Sequence, residues 1–294
     1  MSEIFLKIFN MSIAASWLIL AIIIIRPFLK KAPKRILCLL WAIVAIRLIL
    51  PFSIESIFSL IPSSETIPPG IEFKLNPAIN SGIAIINNAV NPVISENYAP
   101  VPYAGANPLQ TVLSIGTAVW ITGVLILLSF ALLSYLHLKR EVAASVRLRD
   151  NIMICDFIES PFVFGIFKPM IYLPSTLSDS AADHVISHEK AHIKRLDHLK
   201  KLFGYLLLSV YWFNPLCLLS YVLLCRDIEM ACDEEVIKNT DRDYIAAYSQ
   251  TLLDCSTRKR IVTICPLSFG EIGVKQRIKR ILTYKKPTFW VMFV

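Results

Sequence analysis

Apolar residues in this chain are gathered into long uncharged runs instead of alternating with polar ones. The first run, residues 8–25, is as long as the shortest helices that cross a bilayer. We predict transmembrane helices at about 5–27, 36–57 and 110–136. Arg47 inside the second is expected to face other helices or a polar cavity, because an isolated charge in lipid is costly. The alternative is that it snorkels or pairs with Glu55. Basic residues follow the first run in place of a cleavage site, so we expect an uncleaved anchor.

Lysine and arginine indicate which connections face the cytoplasm, because short basic loops are retained on that side. The connections after the first and third runs are basic, whereas residues 58–109 hold three Glu and one Lys. We therefore predict an outside N-terminus, a membrane region over 1–137 and an external loop at 58–109. Residues 138–287 are predicted to form a cytoplasmic domain, and 288–294 the start of a truncated fourth transmembrane helix.

Residues 202–225 form another uncharged run, which Asn214-Pro215 interrupts near its centre. Asparagine followed by proline is a strong helix breaker. We predict two short antiparallel helices, at about 202–212 and 215–226, that form a membrane-associated hairpin. A fully buried hairpin in a soluble domain stays open as the alternative. A single crossing would separate the flanking segments by a bilayer thickness.

Strand-like composition is confined to residues 146–157 and 160–174, where aromatic and β-branched residues stand between turn-forming ones. A small sheet there could align an extended peptide by strand addition or simply pack as core. The predicted fold is therefore mainly α: a polytopic membrane protein whose cytoplasmic domain contains a small β-sheet.

Composition agrees with a membrane protein. The 294 residues are 55% hydrophobic with a mean hydropathy of +0.58, which is too apolar for an ordinary soluble protein. The net charge of +8 follows mostly from the basic cytoplasmic segments. We expect residues 258–286 to lie against anionic lipid and not to bind nucleic acid, because few aromatic residues are interleaved with the basic ones. Seven cysteines without a C-x-x-C pair predict no disulfide framework.

One polar pattern carries chemistry, the motif His188-Glu189-x-x-His192. It stands in a stretch from Ala181 to about Phe203 that lacks Gly and Pro and is predicted to be one helix. Histidines four residues apart share a helix face and can bind one Zn²⁺ ion, while Glu189 can reach a water on that ion. The motif alone occurs by chance in roughly a few per cent of chains this long, so a third ligand is needed.

Glu229 is the predicted third ligand. It shares a helix face with Asp233, and two His with one Glu leave the fourth position of a tetrahedral zinc site open for water. Asp233 is expected to accept the spare N–H of one histidine and fix its tautomer. The alternatives are that both acids form an ordinary solvated helix face, or that the Cys232 thiolate is a ligand. His184 is expected to be a surface residue or a neighbour of the ligands.

These motifs resemble the BlaR/MecR-type antirepressor family of integral-membrane zinc metallopeptidases, the beta-lactam sensor and transducer regulators. The resemblance covers nearly the whole chain, including three spans and a long external loop. The residues that carry it are His188-Glu189-x-x-His192, Glu229-x-x-x-Asp233, the Trp212-Phe213-Asn214-Pro215 break, the Ser160–Gly165 run and the Lys275–Leu282 run.

The resemblance implies a gluzincin-like site in which His188, His192 and Glu229 bind zinc and Glu189 is the general base. It also implies a signal-transducing endopeptidase that cleaves a cytoplasmic regulator, such as a helix-turn-helix transcriptional repressor, or itself. Well-known members continue into an external penicillin-binding sensor domain, but no complete S-x-x-K, S-D-N and K-T-G set occurs here. A non-catalytic zinc-containing transducer and a membrane quality-control zinc protease are the alternative functions.

Overall fold

A computed structural model describes residues 1–51, 66–98, 108–257 and 273–284 of the chain. Within these residues the fold is mainly α-helical with one small sheet, as the sequence predicts. The helices are α1 (Ser2–Ile25), α2 (Lys34–Ile49), α3 (Ala84–Tyr98), α4 (Pro108–Glu141), α5 (Asp179–Lys194), α6 (Asp197–Val210), α7 (Pro215–Ile237), α8 (Arg242–Thr257) and α9 (Val274–Leu282); the strands are β1 (Val146–Arg149), β2 (Ile152–Cys155), β3 (Phe162–Phe164) and β4 (Met170–Pro174).

The chain divides into two compact units. The first consists of Met1–Pro27, Leu40–Leu127 and Leu207–Ser220. The second consists of Phe28–Leu39, Leu128–Leu206 and Tyr221–Val294, and it holds the sheet and all the candidate site residues.

Two of the described helical stretches are long and apolar enough to cross a membrane, Ser2–Ile25 and Pro108–Ala144. They coincide with the predicted spans at 5–27 and 110–136. Helix α2 has 16 residues, fewer than a bilayer crossing needs. Part of the predicted span at 36–57 lies outside the described residues, and so does all of the predicted fourth helix at 288–294.

The predicted external loop contains a helix that the sequence pattern did not indicate, α3, with Pro92 inside it. Two hydrogen bonds attach the preceding segment to α3. Asn91 Oδ1 accepts from the Ile79 amide at 2.8 Å, and Asn87 Oδ1 accepts from the Ser81 amide at 2.8 Å. Residues 58–65 and 99–107 of this loop lie outside the described part of the chain.

The Asn-Pro breaker forms a turn between α6 and α7, and in the first unit this turn is fastened to α1. Asn214 Nδ2 donates to the Ser12 carbonyl at 3.2 Å and to the Ser16 hydroxyl at 2.8 Å. Asn214 Oδ1 accepts from the Leu216 amide at 2.9 Å and so caps the start of α7. The proline that follows lacks an N–H and suits the first helical position.

Helices α6 and α7 lie antiparallel in the second unit. Gly204 of α6 lies so close to α7 that a Cβ at this position would come within 3.1 Å of the Tyr221 ring. The Tyr221 hydroxyl donates to the Lys201 carbonyl at 3.4 Å. The uncharged run therefore turns back, and the chain that follows Tyr221 returns towards the start of α6.

The sheet of the second unit supports α5. Its order is β1-β2-β4-β3, with β2 and β4 parallel and both outer strands antiparallel to their neighbours. Ile152, Ile171 and Leu173 of the sheet pack with Val185 and Ile186 of α5 in one buried cluster. One face of α5 is thereby covered, which leaves the histidine face towards the other helices.

The prediction of a single helix from Ala181 to Phe203 is wrong, because α5 ends at Lys194 and α6 begins at Asp197. Leu196 between them has φ 56°, a left-handed conformation that residues with a Cβ seldom adopt. Neither Gly nor Pro marks the break, so the sequence pattern could not show it. The break turns Asp197, which is 1% exposed, back towards the last turn of α5.

Candidate metal centre

His188 and His192 project from one face of α5, and both are buried. Their Nε2 atoms are 3.1 Å apart. Two ligands at about 2.0–2.1 Å from one tetrahedral zinc ion are separated by about 3.4 Å, so this spacing suits a shared ion. Two nitrogen lone pairs this close repel each other unless a proton or a cation lies between them.

The surroundings of the metal-free pair favour an added proton, because the pKa values of both imidazoles are raised. Burial opposes the charged form of His188, but the neighbouring Cys232 and Glu229 outweigh burial and raise its pKa to about 9. A metal ion that binds the same nitrogens would displace that proton. The pair therefore fits a cation both by distance and by charge.

Glu229 of α7 faces both histidines from the opposite side. Its Oε2 is 3.5 Å from His188 Nε2, and its Oε1 is 3.5 Å from His192 Nε2. Burial would raise the pKa of this carboxyl group, but Lys201 and the histidines outweigh burial and hold it well below its usual value. The group is therefore a carboxylate that points at the two nitrogens.

Asp197 fixes the orientation of His192. Its Oδ2 is 2.9 Å from His192 Nδ1 and also accepts from Arg195 Nε at 3.0 Å, while its Oδ1 accepts from Lys200 Nζ at 2.9 Å. Burial opposes the carboxylate, but the hydrogen bond from His192 and the nearby cations lower the pKa of Asp197 to about 2. A carboxylate can only accept, so His192 carries its proton on Nδ1 and Nε2 is free to bind a metal.

A tyrosine fixes the orientation of His188. The Tyr248 hydroxyl of α8 donates to Asp233 Oδ1 at 2.8 Å, so its oxygen can accept from His188 Nδ1, which is also 2.8 Å away. Asp233 itself lies 3.5 Å from His188 Nδ1. The expected contact between Asp233 and a histidine is therefore made chiefly through Tyr248, and the direct carboxylate partner of His192 is Asp197.

Glu189 differs from the other acids near the site. It follows His188 directly in the sequence, and it is buried, with 8% of its surface exposed. Within the described residues no hydrogen bond or ion pair engages its carboxylate, whereas Glu229, Asp233 and Asp197 are each paired with cations. An unpaired carboxylate is available to take up a proton.

Two cations contact the candidate ligands directly. Lys201 Nζ is 2.8 Å from Glu229 Oε1, and Arg277 Nη1 is 3.2 Å from Glu229 Oε2. Arg277 also donates two hydrogen bonds to Asp233, from Nε and Nη2, each 2.8 Å long. These contacts hold the carboxylates in place while they face the histidines.

Cys232 is a geometric rival to Glu229. Donor atoms of His188, His192 and Cys232 lie within 4.8 Å of one another. Burial raises the pKa of the Cys232 thiol, but the two histidines outweigh burial and lower it. The sulfur lies 3.6 Å from His188 Nδ1, the nitrogen that already bonds Tyr248, whereas Glu229 faces both Nε2 atoms. We therefore favour Glu229 as the third ligand.

Four residues that hold this site together cannot be assigned to it from the sequence pattern: Asp197, Lys201, Tyr248 and Arg277. Asp197 stands five residues after His192, a spacing that a continuous helix would turn away from the ring. Arg277 stands in the basic run that the sequence singled out, but nothing in the pattern indicated its partner. Proximity in sequence makes Tyr248, like Tyr244 and Arg226, only a candidate for stabilising the oxyanion. In the structure the packing of α8 puts the Tyr248 hydroxyl 2.8 Å from His188 Nδ1.

The chain is similar to several known proteins. A family model described as BlaR1 peptidase M56 matches residues 6–281. The methicillin resistance mecR1 protein of Staphylococcus aureus (strain Mu50 / ATCC 700699) is 29% identical over 164 residues, which are 51% of this chain and 28% of that protein. The regulatory protein BlaR1 of Bacillus licheniformis is 32% identical over 158 residues, which are 52% of this chain and 26% of that protein. The alignments thus span about a quarter of each relative.

Proposed function

Because the chain belongs to the BlaR1 peptidase M56 family, we propose that it is an integral-membrane zinc-dependent endopeptidase that transduces a signal by cleaving a cytoplasmic regulator or itself. The observation that carries this proposal is the meeting of His188, His192 and Glu229 around one point. The helix hairpin of α6 and α7 makes it possible, since it returns Glu229 to the end of α6 nearest the histidines.

His188, His192 and Glu229 are the residues that would hold the ion, in a gluzincin-like arrangement. A zinc ion held there would supply a Lewis acid for the scissile carbonyl and would lower the pKa of a water molecule to about 7. The Glu189 carboxylate would take up the proton of the attacking water and pass it to the leaving amine. Asp197 and Tyr248 keep both imidazoles in the tautomer that presents Nε2.

The chain is proposed to be a multi-pass membrane protein with an outside N-terminus and a cytoplasmic zinc site. The apolar helices at Ser2–Ile25 and Pro108–Ala144 support membrane insertion. The basic segments that follow each of these helices support the orientation. The hairpin at 202–225 is proposed to associate with the membrane through its uncharged surface.

We propose that the chain cleaves one regulatory protein, and not the many substrates of a quality-control protease. One relative is named a regulatory protein and another a methicillin resistance protein. A cytoplasmic helix-turn-helix repressor, or the chain itself, would be accessible to a site on the cytoplasmic side.

Mass spectrometry of new peptide termini tests this proposal in membranes and cytosol from cells with and without the full chain. A regulator is expected to produce one or a few new termini, in a single cytosolic protein or in the chain itself. New termini spread over many membrane proteins would instead support a quality-control protease. No zinc-dependent termini at all would contradict an endopeptidase.

A non-catalytic zinc transducer is the second candidate, and Cys232 is the observation that favours it. If the thiolate joined the two histidines and Glu229, four protein ligands would close the tetrahedron and leave no position for water. We expect Cys232→Ala to bind zinc as tightly as the parent chain and to keep its cleavage activity, because the sulfur approaches the wrong nitrogen of His188. Loss of zinc from this variant, measured by chelator competition, would favour the closed site.

A further inference from the structure

Helix α9 contacts two different parts of the second unit through two arginines one turn apart, Arg277 and Arg280. We propose that α9 is a clamp that connects residues 28–34 to the metal centre. These residues are the end of the link between α1 and α2 and the first residue of α2. Arg277 is then a positioning residue that acts on His188 through Asp233 and Tyr248. This inference rests on the proposed metal site, but not on peptide cleavage.

A continuous chain of short hydrogen bonds connects Arg277 to His188. Arg277 is buried and donates to both oxygens of Asp233 at 2.8 Å. Asp233 Oδ1 accepts from Tyr248 at 2.8 Å, and Tyr248 lies 2.8 Å from His188 Nδ1. Four helices (α9, α7, α8 and α5) each supply one member. The planar guanidinium fixes both carboxylate oxygens at once, which a lysine ammonium cannot do.

Arg277 could also weaken metal binding, because a positive charge near the ion repels it. Its Nη2 is 3.4 Å from His188 Nε2, and its Nη1 is 3.2 Å from Glu229 Oε2. These contacts are longer than the two hydrogen bonds to Asp233. The charge of Arg277 is moreover already matched by the buried carboxylates it touches. We therefore expect its positioning effect on the ligands to exceed its repulsion of the ion.

Arg280 connects α9 to Glu234 of α7 and to the chain just before α2. Arg280 Nε donates to Glu234 Oε1 at 2.7 Å, and its Nη1 and Nη2 donate to the carbonyls of Lys30 at 2.8 Å and Ala32 at 3.1 Å. The Lys34 amide donates to Glu234 Oε2 at 2.9 Å. Glu234 directly follows Asp233 on α7. A displacement of residues 28–34 would therefore also displace α9 and the end of α7 that carries Asp233.

Zinc affinity of the full chain tests the clamp, measured in lipid nanodiscs by competition with a chromophoric chelator. Arg277→Lys keeps the buried charge, so folding is expected to survive, but it breaks the two-point contact. We expect about tenfold weaker zinc binding or more, the range found when partners of metal ligands are removed. Arg280→Gln is expected to weaken binding by a smaller factor. Lys279→Gln, an exposed residue on the same helix, is the matched control and should bind like the parent chain.

Unchanged or tighter zinc binding by Arg277→Lys would overturn the positioning role. If the thermal midpoint of the metal-free variant were also lowered, Arg277 would contribute to folding stability alone. Zinc affinity of Arg280→Gln equal to that of Lys279→Gln would overturn the connection to residues 28–34. Because these experiments measure zinc binding and not cleavage, they do not test the proposed peptidase activity. The Glu189→Gln variant tests that activity.

Discussion

Replacing Glu189 by glutamine is expected to abolish peptide cleavage while zinc stays bound. Glutamine keeps the shape of the side chain but cannot take up a proton from the attacking water. General acid–base catalysis contributes about 100- to 10,000-fold, so cleavage should fall by a factor in that range. Zinc binding should persist, because Glu189 is adjacent to the ligands without being one of them. Product formation in membranes and zinc content of the purified chain are the two measurements.

Lys190→Gln is the matched control, since Lys190 is the exposed neighbour of Glu189 on α5. It should cleave like the parent chain. Cleavage that persists unchanged in Glu189→Gln would contradict the proposed mechanism. If signalling in cells also persisted, the non-catalytic transducer would become the better description.

Replacing Glu229 by glutamine is expected to remove most of the zinc. A neutral amide oxygen is a weaker ligand than a carboxylate, and the variant also loses the charge that faces both Nε2 atoms. Structural zinc sites with four ligands bind with about 10–16 kcal/mol, so one ligand contributes on the order of 3 kcal/mol. Zinc affinity should therefore fall by about 100-fold or more. Chelator competition on the purified chain measures this directly.

Asp243→Asn provides the control, because Asp243 is an exposed carboxylate on α8 that takes no part in the site. Its zinc affinity should equal that of the parent chain. If Glu229→Gln keeps full affinity while Cys232→Ala loses it, the third ligand is the thiolate. The metal-free thermal midpoint of each variant shows whether a loss of zinc reflects the ligand or a loss of folding.

The local features of the site could be read from the sequence. Four-residue spacing placed His188 and His192 on one helix face, and the Asn214-Pro215 breaker indicated where the uncharged run turns. Given that turn, Glu229 had to return towards the histidines. Each of these inferences depends on helical periodicity or on the stereochemistry of proline, which neighbouring residues determine.

The supporting contacts could not be predicted in this way. Asp197 reaches His192 only because Leu196 adopts a left-handed conformation without a glycine to signal it. Arg277 meets Asp233 across 44 residues, part of which lies outside the described chain. Such contacts depend on how α8 and α9 pack against α7, and the periodicity of a helix shows which of its faces is buried but not which helix covers that face. The same holds for the helix α3 inside the predicted loop.

Zinc K-edge X-ray absorption of the full chain loaded with one equivalent of zinc tests the donor set most directly. Nitrogen and oxygen neighbours alone, at about 2.0–2.2 Å, are the predicted result for a site built from His188, His192, Glu229 and water. A sulfur neighbour at about 2.3 Å would contradict this donor set, because Cys232 would then be a ligand. If it were a ligand together with Glu229, the open position for water would also be lost.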